Sequence, residues 1–189
     1  MHATPEDSAA DAKALDLLMP IQFFYLRDGR SLPEIEFIDG GEMPEPYQSL
    51  LAHSTDMTPM LREFHESEIS LDVLECEASE DYVIRSVVLR SGDGSPIEFG
   101  AIGIRLDVFN EPLRGEIAGG TAPLGGLLEQ HRFFHSGSPK AYFRVKADQF
   151  TADNLDCPTG AILYGRCNAL LDSDGLTFAD IVEILPPHL

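Results

Sequence analysis

The sequence predicts an α+β domain in which a mainly antiparallel β-sheet is partly covered by helices. Helical periodicity early in the chain gives way after Glu68 to alternation of apolar and polar residues with period two. Turn sequences separate the alternating stretches, as in hairpins. No regular succession of strand, helix and strand is visible, and neither a GxGxxG nor a P-loop motif occurs. A Rossmann-type nucleotide enzyme is therefore excluded.

The first third of the chain predicts helices. A short one is expected over 9–18, and a second over 46–54. The third, over 58–66, has Thr58 as a candidate N-cap and Pro59 at the first helical position.

The remainder predicts five or six strands. Asp93-Gly94 lies between two β-rich stretches and is a typical hairpin turn, and 173–175 marks a second hairpin. A short helix entered through a glycine-rich loop is expected at 120–131, with Thr121 as its candidate cap. The strands are predicted within the stretches 68–78, 81–91, 96–109, 140–147 and 160–185.

Length and composition predict one domain. The polar, acidic start resembles no secretory signal, and we expect residues 1–12 to be disordered and 13–189 to form a single domain. No stretch is apolar for the roughly 20 residues of a membrane span. The three cysteines are odd in number and widely spaced, as in reduced cytoplasmic proteins, and a monomer is expected.

The net charge of −19 limits the possible partners. Nucleic acids and anionic membranes need a basic surface, so both are excluded as partners. An anionic ligand would be repelled by the overall field. Local arginines or lysines must therefore hold it.

Arg85 occupies a position at which a strand should be apolar. Alternation puts it on one face with Val87 and Leu89. A buried guanidinium without compensation costs several kcal/mol, so Arg85 must meet an anion. The sequence leaves two alternatives open, namely a structural ion pair with Glu183 or Glu98 and the carboxylate of a ligand.

Several stretches, taken together, resemble one family in their order and spacing. The stretches are STDMTPMLREFHESEISLDVL, YVIRSVVLRSGDGSPIEFGAIGI, APLGGLL and LYGRCNALLDSDG followed by VEILPP. By these stretches the chain is similar over about 47–187 to the chorismate pyruvate-lyase family and its superfamily, which includes effector-binding domains of some bacterial transcription regulators.

The resemblance implies a fold, an activity and site residues. It implies one α+β domain whose helices and loops close over a buried ligand, and a lyase that converts chorismate to 4-hydroxybenzoate and pyruvate without a cofactor. By the same resemblance, Met57 lines the ligand site, Arg85 grips the ligand carboxylate, and Leu124 with Gly125 beside it supplies backbone amides.

The catalytic glutamate of the family lies four residues before a proline, and here two alignments are open. Glu183 stands four before Pro187, whereas Val182 stands four before Pro186. We favour Glu183, because the hairpin then gains one residue in each strand and keeps its in/out parity. With Val182 at this position the lyase would lack its acid/base.

Other candidate residues carry weaker signals. Arg105, Arg132 and Arg166 could each hold a second carboxylate. His131 and His135 have the i, i+4 spacing that chelates a metal on a helix, but no third ligand accompanies them convincingly, so we expect neither a metal nor a cofactor.

Two functions therefore remain as hypotheses. The first is a cofactor-free lyase that acts on chorismate or a close relative, with Arg85 and Glu183 as its catalytic residues. The second is a binding or sensor protein that holds a small aromatic or cyclohexadiene carboxylate in the same pocket without turnover. Within the second hypothesis, the sequence favours a stand-alone sensor over a transcription regulator, because the chain is acidic and no helix-turn-helix is evident before the domain.

Overall fold

Seven strands form one antiparallel sheet in the computed structural model, which describes residues 16–188. The sheet order is β1-β5-β6-β7-β4-β3-β2, so the hairpins β3–β4 and β6–β7 meet at the centre along β4 and β7. The strands are β1 (Ile35–Ile38), β2 (Ser70–Ala78), β3 (Tyr82–Arg90), β4 (Pro96–Arg105), β5 (Ser136–Lys146), β6 (Ile162–Leu171) and β7 (Thr177–Leu185).

Helices cover both faces of the sheet, and a 3₁₀ turn spans Gly40–Glu42. Helices α1 and α6 pack on one face against buried residues such as Phe99 and Phe143, forming the largest hydrophobic cluster. The other face carries α2 to α5 in two smaller clusters. The helices are α1 (Met19–Arg27), α2 (Tyr47–Leu51), α3 (Met57–Phe64), α4 (Leu113–Gly119), α5 (Leu124–Gln130) and α6 (Gln149–Leu155).

The predicted fold class is confirmed, with corrections in detail. The expected strand count of five or six was too low, because β1 is only four residues long and is defined by its pairing with β5. The predicted helix over 9–18 and the predicted disorder of 1–12 fall largely or wholly outside the described residues. Within 16–188, no helix is both long enough and apolar enough to cross a membrane.

Both predicted helix caps were wrong. The N-cap position of α3 is Asp56, so Thr58 lies inside the helix, and Pro59 is its third residue, still in the first turn where a missing N–H is tolerated. The N-cap position of α5 is Pro123 rather than Thr121.

A buried ion pair joins the centre of the sheet to the chain between α2 and α3. Arg166 on β6 donates from Nε to Glu183, its direct cross-strand neighbour on β7. Its Nη1 donates to the carbonyl oxygens of Leu51, at 3.2 Å, and His53, at 2.9 Å, and its Nη2 to that of Thr55, at 3.3 Å. Burial alone would lower the pKa of Arg166, but the charge of Glu183 and the hydrogen bond to it raise that pKa above its ordinary value.

A second polar contact joins the N-cap position of α3 to the connection that follows α5. The ring of His135, in the connection from α5 to β5, lies with Nε2 2.8 Å from Oδ2 of Asp56. The hydrogen bond to Asp56 raises the pKa of His135, because it favours the charged imidazolium. This carboxylate makes no cap hydrogen bond with the backbone of α3.

We predict that Arg166→Met strongly destabilises the fold. The variant leaves Glu183 buried without its partner, and the free energy of unfolding should fall by about 3 kcal/mol or more in urea denaturation. The double variant Arg166→Met/Glu183→Leu removes both charges and should recover most of the loss. A loss below about 1 kcal/mol in the single variant would show that the pair does not hold this part of the structure together.

We predict that the contact between His135 and Asp56 stabilises the protein more at pH 6 than at pH 9. A raised pKa in the folded state gives stability that is present at low pH and is lost as the pH rises through the folded-state pKa. The difference in unfolding free energy between the wild type and His135→Asn should therefore shrink between these two pH values. A difference that stays constant would contradict an electrostatic role for the histidine.

Candidate functional site

A cavity lies between the sheet and the helices α3 and α5. It holds about 590 Å³ of space, counting the open volume at its mouth. Its floor is formed by β2, β3, β4, β6 and β7, and residues at the beginnings of α3 and α5 complete its lining. Apolar side chains make up much of the lining, among them Leu71, Leu89, Ile102, Leu170 and Ile181.

The five residues predicted for the site all line this cavity. Met57 is the first residue of α3, and Leu124 and Gly125 are the first two of α5. Arg85 and Glu183 project from the sheet. A Cβ at Gly125 would lie 3.3 Å from the Cβ of Asp56, so glycine permits the close approach of the two helices.

Arg85 is buried without a carboxylate partner among residues 16–188. Its side chain is 2% exposed, Nη1 donates to the carbonyl oxygen of Ile117 at 3.3 Å, and Nε has no hydrogen-bond partner. Burial lowers the pKa of Arg85 from its ordinary value, as expected for a cation removed from water. Within residues 16–188, Arg85 forms neither of the two ion pairs that the sequence left open, with Glu183 or with Glu98.

Helix α4 holds the Arg85 guanidinium in place. Ile117 lies in its last turn, and Gly120 caps the helix in the left-handed conformation with φ of +62°. A Cβ at Gly120 would lie 3.2 Å from Nη1 of Arg85. Glycine at position 120 thus suits the left-handed backbone conformation, and it leaves room for the guanidinium of Arg85.

Glu183, rather than Val182, faces the cavity side of the sheet. Val182 is fully buried in the cluster on the opposite face. Glu183 pairs with Gly100 of β4, two positions from Ile102, which pairs with Arg85. Because neighbours two positions apart share a face, Glu183 and Arg85 lie on the same face. The Glu183 carboxylate is bound to Arg166, the one of the three other candidate arginines that is buried.

Glu98 is a cavity residue that sequence reasoning considered only as a partner for Arg85. It is 5% exposed, makes no side-chain hydrogen bond within the described residues, and has Oε2 enclosed without a partner. Burial raises the pKa of Glu98 well above its usual range, and the charge of Glu183 raises it further, while Arg166 opposes the shift. Burial therefore favours the neutral, protonated form of the Glu98 carboxyl group.

Unsatisfied polar atoms concentrate at this cavity. Seven buried side-chain nitrogen or oxygen atoms within residues 16–188 have no hydrogen-bond partner, and three of them belong to cavity-lining residues, namely Arg85 Nε, Glu98 Oε2 and Asn168 Oδ1. Buried polar groups are normally paired in proteins. Such a group of exceptions in one cavity indicates a place where a polar ligand supplies the missing partners.

The remaining candidates lie elsewhere. Arg105 and Arg132 are exposed, and Arg105 pairs with Asp107. Helix α5 ends at Gln130, so His131 and His135 do not have the helical geometry that their spacing suggested. His131 contacts Glu116 rather than His135. No group of three or more potential metal ligands occurs within 16–188.

Comparison with known proteins shows the fold of the chain. No family model matches the sequence, and no curated protein matches it. Similar solved structures include the ligand-binding domain of a protein from Bordetella bronchiseptica assigned to the GntR family of transcriptional regulators, with 17% identity and a TM-score of 0.50 over 64% of this chain and 86% of that one.

A second similar structure is the effector domain of PhnF from Mycobacterium smegmatis. It has 11% identity and a TM-score of 0.50, and the match covers 67% of this chain and 86% of the domain. The longer PhnF structure matches equally well over 62% of its own length. At these identities the likeness concerns the fold alone. The chain has the fold of these two domains.

Proposed function

We propose that this protein binds a small aromatic or cyclohexadiene monocarboxylate in the cavity, with the ligand carboxylate on Arg85. The single observation that carries this proposal is the Arg85 guanidinium, which lines the cavity with one backbone oxygen as its hydrogen-bond partner. Similarity to ligand-binding domains supports the same reading at the level of the fold.

The electrostatics of the cavity favour an anion. An unpaired buried charge is strongly destabilising, and a carboxylate can match the planar guanidinium with two hydrogen bonds. The net charge of −19 opposes anion binding at the surface of the protein. Within the cavity, burial favours the neutral form of Glu98, and Glu183 is paired with Arg166, so Arg85 sets the local charge.

The lining favours a ring with a single charge. Leucine and isoleucine side chains offer apolar contact to a ring, as in most small-molecule sites. A dicarboxylate such as chorismate would place its second anion in a cavity where the other buried cation, Arg166, is already bound to Glu183. Binding of a monocarboxylate such as 4-hydroxybenzoate therefore suits the charges better.

Chorismate lyase activity is the second candidate function. It is favoured by the presence of Arg85 and Glu183 on one cavity wall, which are the two residues that the family resemblance makes catalytic. Against it stands the engagement of Glu183 with Arg166, because the hydrogen bond to the buried guanidinium occupies the carboxylate that would have to act on the substrate. We therefore propose binding without turnover as the main function.

We predict that Arg85→Met abolishes ligand binding while the protein stays folded. Loss of a desolvated charge partner costs about 2–5 kcal/mol, so the affinity for 4-hydroxybenzoate in calorimetric titration should fall by about 100-fold or more. The free energy of unfolding without ligand should stay the same or rise, since the variant removes an uncompensated buried charge.

Two control variants sharpen this experiment. Arg105→Met changes an exposed arginine outside the cavity and should leave the affinity unchanged. Arg166→Met changes the other buried arginine, whose loss should lower stability. If Arg85→Met unfolds the protein as Arg166→Met is expected to, Arg85 has a structural role and the proposal fails.

We predict that chorismate is not converted. Purified protein incubated with chorismate should release pyruvate no faster than a blank without protein, whereas 4-hydroxybenzoate should bind. Multiple turnovers per protein molecule, abolished by Glu183→Gln, would instead establish the lyase.

A further inference from the structure

Glu98 is a buried acid for which the proposed binding of a carboxylate at Arg85 gives no role. A carboxyl group that is 5% exposed and lacks hydrogen bonds is costly, and the apolar neighbours in its cross-strand row, such as Leu89, offer no compensation. The residue lines the cavity, so a ligand there can supply the missing partner.

The geometry places Glu98 and Arg85 at two ends of one wall. Along β4, the positions on the cavity face are Ile102, Gly100 and Glu98, and Ile102 pairs directly with Arg85. Glu98 lies four positions before Ile102, which corresponds to about 14 Å along the strand. The two polar groups therefore enter the cavity from separated positions.

Gly100 keeps the floor between them clear. A Cβ at this position would lie 2.6 Å from the backbone oxygen of Val182 and 3.5 Å from Oε1 of Glu98. Even an alanine would thus clash with the backbone of β7, while its Cβ would be in ordinary contact with the Glu98 carboxyl. Because Gly100 has no side chain, the cavity floor between Arg85 and Glu98 stays open, and a flat ring can lie there.

We propose that Glu98 is a second recognition group of the cavity and hydrogen-bonds to an uncharged oxygen of the ligand at the end opposite its carboxylate. This inference rests on the proposed function, because it takes Arg85 as the carboxylate site. The ligand class that it specifies is a ring monocarboxylate with a hydroxyl or similar neutral oxygen across the ring.

The charge around Glu98 excludes a second anion there. Two groups dominate its electrostatic surroundings, Glu183 and Arg166, and they neutralise each other in their ion pair. Burial favours the protonated form of Glu98, and a protonated carboxyl group has both a donor and an acceptor oxygen, which suits a hydroxyl group. A ligand carboxylate at this end would lie close to Glu98 and Glu183, and the nearby cation Arg166 is already bound to Glu183.

The test compares three probes, namely 4-hydroxybenzoate, benzoate and benzene-1,4-dicarboxylate, by calorimetric titration. In the wild type, 4-hydroxybenzoate should bind about tenfold more tightly than benzoate, which lacks the oxygen, and the dicarboxylate should bind at least about tenfold more weakly than 4-hydroxybenzoate. Glu98→Leu should bind 4-hydroxybenzoate and benzoate equally, and Glu98→Gln, which keeps a neutral donor and acceptor, should retain most of the preference.

Stability provides an independent readout. Glu98→Leu places an apolar side chain next to Leu89 and removes an unpartnered carboxyl, so its melting temperature without ligand should be equal to or above that of the wild type. A structural role for Glu98 would instead lower the melting temperature and weaken both monocarboxylates alike.

The outcomes separate the two proposals. If the wild type binds benzoate and 4-hydroxybenzoate equally, or if Glu98→Leu keeps the preference, the role of Glu98 is refuted while carboxylate binding at Arg85 stands. If no probe binds the wild type, the proposed function itself fails, and this inference fails with it.

Discussion

The ion pair between Arg166 and Glu183 is the interaction on which the arrangement of the cavity depends. One guanidinium contacts the central strands through Glu183 and three carbonyl groups in the chain between α2 and α3. These contacts fix the covering segment over the sheet. They also pair the charge of Arg166 with that of Glu183. Among residues 16–188, this leaves Arg85 as the buried cation that faces the cavity without an acidic partner. The same ion pair thus shapes the cavity and sets its charge.

The fold could be predicted from the sequence because its main signals are local. Alternation of apolar residues gave six of the strands, and the turn at Asp93-Gly94 gave the first hairpin. The strand β1 could not be found in this way, because its four residues owe their conformation to pairing with β5, which is distant in sequence. The start of α3 was predicted wrongly, because the side chain at its N-cap position, Asp56, contacts His135 instead of capping the helix.

The site could be predicted as a set of residues but not as a set of pairings. The family resemblance supplied Met57, Leu124 and Gly125, and the parity of the lengthened hairpin was enough to prefer Glu183 to Val182. Which arginine meets Glu183 depends on the register between β6 and β7, which no local pattern reveals. The polar character of Glu98 was visible, but its isolation from every partner in the described chain requires the packed structure.

The hold of α4 on Arg85 has a consequence for communication within the molecule. The guanidinium donates to the oxygen of Ile117 in the last turn of this helix. If a ligand binds the same guanidinium as proposed, its affinity and the position of α4 are thermodynamically linked, and the linkage is reciprocal. A partner that displaced the helix from outside would change the affinity within, and a guest within would be sensed at the surface through one side chain.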